Sequence, residues 1–192
     1  MPRRCALLTG LLLGLVAHLT AAQTPYDPSH SELRGGYLVG VPLPLLRTRY
    51  SPERGSSDLN LELVLRKWWR AAAARGALLP RLQLGGTVNL EGRTDFAYVG
   101  GLWSYDYTGR GFAELSLGGM VHDGQLTARD PRLARLGCRA LYAVGVNLGY
   151  RLGVLSSLML SFEHGSNGRH YLSECPANEG LNLLGIRFGY RL

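Results

Sequence analysis

Past residue 30, apolar and polar residues alternate one by one along most of the chain. That is the period of a strand, whose successive side chains point to opposite faces. Runs of ~10 residues with this period, separated by pieces rich in Gly, Pro, Asp, Ser or Arg, fall at roughly 33–42, 58–69, 79–90, 95–107, 111–122, 138–152, 156–166 and 181–192. In the second run Leu59, Leu61, Leu63, Leu65 and Trp69 share one face, and Asp58, Asn60, Glu62 and Arg66 the other. The sixth sets Tyr142, Val144, Val146, Leu148 and Tyr150 against Arg139, Asn147 and Arg151. The last sets Leu184, Ile186, Phe188 and Tyr190 against Arg187 and Arg191.

An even number of runs, each long enough to cross a bilayer as a tilted strand, predicts an all-β fold: an eight-stranded antiparallel transmembrane β-barrel of the outer-membrane type. A soluble sandwich would alternate as well, with its apolar faces meeting in one core. Closure into a barrel is favoured because an open sheet would leave unpaired backbone edges in lipid. Trp and Tyr gather near run ends, as in an interfacial girdle, and the final "GIRFGYRL" resembles the terminal strand of bacterial outer-membrane proteins. With both termini periplasmic, the long links at 44–57, 123–137 and 167–180 fall outside the cell and the short ones at 108–110 and 153–156 inside, with 70–77 the longest inside. A barrel this small is filled by its own side chains, so Glu62, Arg66, Arg81, Glu114, Glu163, Arg187 and Arg191 are expected to form an internal charged network.

The first residues, "MPRRCALLTGLLLGLVAHLTAAQ", change where this barrel should sit. Arg3 and Arg4, an apolar run and small residues up to Ala22 predict a secretory signal peptide over 1–22, leaving one domain over 23–192. The formal charge of +7 falls to +5 when Arg3 and Arg4 are removed. Arginines are spread along the chain rather than clustered, which argues against a nucleic-acid partner. Cys138 and Cys175 remain after export, and an oxidising compartment leaves them either bridged or free. His122 and His170 have no spaced carboxylate or cysteine partner, so no metal site is expected.

Candidate chemistry lies in "SFEHGSNGRH", residues 161–170. Leu158, Leu160 and Phe162 share the lipid-facing parity, and His164 and Ser166 continue it. Two residues along a strand separate alpha carbons by ~6.7 Å, within reach of an imidazole and a hydroxyl. Such a pair makes a nucleophile: His takes the proton as Ser attacks a carbonyl. Asn167, Gly168 and Asn178 bring amide donors and an adaptable backbone that can hold an oxyanion. Asn182, on the next strand with the same parity, can orient the imidazole.

The last thirty residues, "FEHGSNG…NEGLNLLGIRFGYRL", look like the end of the lipid A 3-O-deacylase (PagL) family, outer-membrane barrels with a lipid-facing His-x-Ser-Asn and a following Asn-x-Gly segment. The eight-run layout extends the resemblance over the mature chain. It implies a serine esterase without metal or cofactor that removes the ester-linked acyl chain at position 3 of lipid A, with lipopolysaccharide of the outer leaflet as partner. By the same resemblance His164 is the general base, Ser166 the nucleophile, and Asn167, Gly168 and Asn178 support the oxyanion. One departure stands out: the family's acid is a Glu four residues after the loop Asn, and here that place is Asn182. An Asn can hold a histidine tautomer but supplies no charge. Glu179 and Glu174 are substitutes if the loop brings one round, whereas Glu163 faces the other way. A disulfide between Cys138 and Cys175 would pin the loop that precedes Asn182. The rival readings are a non-catalytic small barrel that anchors or adheres and a periplasmic lipid-binding barrel, and the sequence leaves a homodimer open.

Overall fold

The computed structural model describes residues 29–42, 53–67, 79–127, 130–169 and 174–192. The signal segment 1–22, Trp69 and the link 70–77 lie outside the described residues. Eight strands are described: β1 (Glu32–Gly40), β2 (Ser57–Val64), β3 (Arg81–Asn89), β4 (Phe96–Asp106), β5 (Gly111–His122), β6 (Ala140–Arg151), β7 (Ser156–Ser166) and β8 (Leu181–Arg191). Each pairs antiparallel with the next, and β1 pairs with β8, so the barrel is closed. Closure leaves no sheet edge unpaired, which is what a strand surrounded by lipid requires.

The faces follow the alternation. Leu61 is 60 % exposed, Val88 57 % and Ile186 58 %, and apolar side chains of this kind point outward from every strand. A bare apolar surface that wraps a whole barrel far exceeds what a water-soluble domain leaves uncovered, and a bilayer is the medium that covers it. Tyr105, Tyr107, Tyr150 and Tyr190 stand outward at the end with short turns, and Tyr37 and Tyr142 toward the end with long loops, as two aromatic belts.

The inward faces carry charge. Arg34 is fully buried, donating to Glu32 Oε2 at 2.9 Å, to Glu114 Oε2 at 2.7 Å and to Glu62 Oε1 at 3.2 Å. Arg187 donates to Glu163 Oε1 at 2.8 Å, and the Tyr98 hydroxyl donates to Glu62 Oε2 at 2.8 Å. Buried charges persist only when paired in this way. Two members of the expected network differ: Arg66 is exposed and Arg191 only half-buried. The run of alternation at 58–69 continues past the end of β2, so parity there no longer defines a barrel face.

Glycines on the inner face make room for rings. A Cβ at Gly149 on β6 would overlap the Phe112 ring on β5, its register partner. Gly149→Ala is therefore expected to destabilise the barrel by about 1–3 kcal/mol. The urea midpoint, read from the fraction that keeps folded gel mobility, tests this, and an unchanged midpoint would show that the ring moves aside freely.

At the loop end, Glu53 ties three connections together. Its Oε1 accepts from the Thr94 hydroxyl at 2.6 Å and from the Ala134 N–H at 3.1 Å. Burial pushes its carboxyl pKa up, and the hydrogen bonds from Thr94 and Ala134 oppose that shift. The β5–β6 loop is thereby held over the barrel mouth, beside the β7–β8 loop.

Candidate active site

The outer face of β7 ends in polar residues. Leu158 and Leu160 are exposed, Phe162 is half-buried, and His164 and Ser166 follow on the same side, both half-buried. In the register His164 lies directly opposite Asn182 of β8 on one side and Val144 of β6 on the other, while Ser166 lies opposite Tyr142. The pair therefore sits at the loop end of an apolar strip.

His164 Nδ1 lies 2.7 Å from Asn182 Oδ1. An amide oxygen accepts only, so the Nδ1 proton points at Asn182, and in the neutral ring Nε2 is then the acceptor. Asn182 is itself 2 % exposed, and its buried Nδ2 has no hydrogen-bond partner among the described residues. Beside the ring, Gly180 adopts a left-handed φ of 68°, and a Cβ there would come to 3.5 Å from His164 Cε1. The imidazole is thus confined by β8 and by the turn that leads into it.

Ser166 Oγ accepts from Asn178 Nδ2 at 2.9 Å and from the Gly168 N–H at 3.2 Å. Gly168 has a φ of 66°, a left-handed conformation that favours glycine and lets its N–H turn back on the serine. Among the described hydrogen bonds none joins His164 to Ser166. The Ser166 hydroxyl rests instead against these two donors.

Asn167 has turned inward and is 2 % exposed. Its Nδ2 forks to the Leu136 and Ala177 carbonyls, each at 2.6 Å, so the side chain fastens loops together rather than facing a substrate. Glu179 is placed away from the histidine: its carboxylate accepts the Arg135 N–H and the Arg135 Nε–H, each at 2.7 Å. That pairing removes it as the substitute acid, and it holds the Arg135 pKa above its ordinary value through the hydrogen bond first and the charge second. Glu174 is exposed, and Glu163 lies inside the barrel on Arg187. A disulfide joins Cys138 at the head of β6 to Cys175 in the β7–β8 loop, with alpha carbons 5.7 Å apart.

Sequence reasoning missed Arg135, which gives no local signal because its partner is 44 residues away. Gly180 enters the sequence reading only as the glycine of the Asn-x-Gly segment, and its place beside the His164 ring emerges from the structure.

The family model for lipid A 3-O-deacylase (PagL) matches residues 46–191 of the chain. No curated protein sequence matches it. Among solved structures, the outer membrane enzyme PagL superposes with a TM-score of 0.55 at 15% identity, covering 85% of this chain and 99% of that one. A de novo designed transmembrane β-barrel superposes with a TM-score of 0.52 at 14% identity, covering 87% of this chain and 98% of that one. At these identities the two likenesses concern the barrel alone.

Proposed function

The chain belongs to the lipid A 3-O-deacylase (PagL) family, and from that premise we propose that it is an outer-membrane serine esterase which removes the ester-linked 3-hydroxyacyl chain of lipid A. The observation that carries the reading is the outward-facing group of His164, Asn182, Ser166, Gly168 and Asn178 at the loop end of an apolar strip. A serine at the loop end of an outward apolar strip is placed to meet the ester of an acyl chain lying in the leaflet.

The reaction divides into two steps. Ser166 Oγ attacks the ester carbonyl while His164 Nε2 takes its proton. Asn178 Nδ2 and the Gly168 N–H receive the oxyanion, and the intermediate collapses as His164 returns the proton to the departing sugar oxygen. Water then attacks the acyl-serine with His164 again as base, releasing the 3-hydroxy fatty acid and restoring the hydroxyl. No metal or cofactor enters this balance. The segment 1–22 serves export, and the outer leaflet supplies the substrate.

Mass spectrometry of lipid A from cells expressing the chain tests the proposal. Loss of one 3-hydroxyacyl group, with folded barrel in the outer membrane, is the expected result; an unchanged spectrum from cells holding the folded barrel would count against it.

Asn182 gives a second, independent prediction. Asp has the length of Asn, so Asn182→Asp keeps the contact with His164 Nδ1 and adds charge where Nδ2 now lies unpartnered among the described residues. One pKa unit of imidazolium stabilisation, ~1.4 kcal/mol, corresponds to a rise in kcat of about tenfold. An unchanged kcat would show that charge on the orienting residue does not limit the rate, and a fall would assign the carboxamide a role of its own.

A further inference from the structure

The side chain of Asn178, the residue proposed to bind the oxyanion, meets only the end of β7, donating to Ser166 Oγ and accepting from the Ser166 hydroxyl and the Asn167 N–H among the described residues, whereas its two chain neighbours are gripped from the β5–β6 loop. Ala177, just before it, gives its carbonyl to Asn167 Nδ2, which also takes the Leu136 carbonyl. Glu179, just after it, is bound three ways to Arg135: its N–H donates to the Arg135 carbonyl at 3.0 Å, and its carboxylate accepts from the Arg135 N–H and Nε–H. Cys175 is bonded to Cys138. Gly137, at a φ of 75°, passes so close beneath Ala177 that a Cβ there would overlap the Ala177 carbonyl. The segment 134–138 is itself anchored: Leu136 is fully buried and its N–H donates to the Gln125 carbonyl, Gly137 N–H donates to the Leu126 carbonyl, and Ala134 N–H donates to Glu53.

On the esterase reading above, we infer that Arg135 is a positioning residue for catalysis: by clamping Glu179 it fixes the carboxamide of Asn178 over Ser166. Arg135 touches neither the nucleophile nor the reacting ester. It acts through one peptide unit, because the backbone of residue 179 sets where the side chain of residue 178 can reach. The oxyanion donor is useful only if it is already in place when charge develops, so a loosened loop costs rate rather than affinity. The arrangement also accounts for the position of Glu179, which sits next to the active-site asparagine yet gives its carboxylate to a different loop.

The test uses the full chain, folded in detergent micelles, with lipid A carrying its 3-O-linked hydroxyacyl ester as substrate. Arg135→Ala is expected to lower kcat by about tenfold or more with KM changed by less than about twofold, the signature of a misplaced transition-state donor. Arg135→Lys, which restores a cation for Glu179, is expected to recover most of the loss. The discriminating arm is the double variant: once Asn178→Ala has removed the carboxamide, Arg135→Ala is expected to cost nothing further. An equal loss in both backgrounds would mean that Arg135 acts independently of Asn178, and a raised KM at unchanged kcat would make it a substrate contact; either overturns the inference. Glu179→Gln breaks the charge pair while sparing the loop backbone, and is expected to lower kcat in the same direction if Arg135→Ala does not insert as folded barrel; wild-type kcat there overturns the inference equally. Deacylation that survives Ser166→Ala removes the esterase reading itself, whereas failure of the Arg135 arms alone leaves that reading standing.

Discussion

Ser166→Ala is expected to abolish release of the 3-hydroxyacyl chain, lowering kcat by a factor of ~10^4 or more. The size follows from what is lost. Asn178 Nδ2 and the Gly168 N–H remain to polarise a carbonyl, but no covalent intermediate can form, and water must attack without a serine in the right place. The barrel should hardly notice. The hydroxyl is half-buried and, among the described residues, bonded to Asn178 and Gly168, so its removal forfeits hydrogen bonds worth about 0.5–1.5 kcal/mol each, in a fold closed by eight strand pairings. Unchanged heat-modifiable gel mobility together with an unmodified lipid A spectrum is therefore the expected outcome. Product formed at the wild-type rate by the folded variant would exclude Ser166 as nucleophile and with it the two-step mechanism.

His164→Ala would give a similar loss for a different reason, since the serine would keep its place without a base. That the two residues are separated by a glycine whose side faces inward is a consequence of strand parity, and parity was visible in the sequence. Leu158, Leu160 and Phe162 establish the outward face, and nothing breaks the alternation before Ser166. Parity alone, however, assigns a side and not a partner. That Asn182 stands opposite His164 depends on the register of β7 against β8, which is fixed by pairings over the whole length of the two strands.

Elsewhere the alternation was too weak or too long. β1 reads "ELRGGYLVG", where Gly35 and Gly36 blur the contrast between faces, so Arg34, a buried cation paired with three carboxylates, gives no signal. β2 erred the other way: the pattern runs past Val64, and Arg66 was assigned to an interior that the strand no longer lines. The loop contacts were beyond reach for a third reason. Arg135 and Glu179 meet because two loops fold over the same barrel mouth, and no periodic rule couples residues in separate loops.

Asn178→Ala carries the other large expected effect, a fall in kcat of ~10^2 to 10^3-fold with KM little changed. The carboxamide is the one side-chain donor on Ser166 Oγ in the resting arrangement among the described hydrogen bonds, and the Gly168 N–H is the one backbone donor. Removing the first leaves the second, so the loss should be that of one oxyanion donor and smaller than that of the nucleophile. On the proposed reading an acyl chain lies along the apolar strip below, by Phe162, Val144 and Leu184, whose strand positions this substitution leaves unchanged. The barrel should remain folded, because neighbouring residues and not Asn178 tie the loop to segment 134–138. An equal fall in Asn178→Asp would fit, since a carboxylate accepts where the oxyanion needs a donor. A variant with wild-type kcat would show that Asn178 merely parks the serine at rest, and the oxyanion would then have to be held by backbone groups alone.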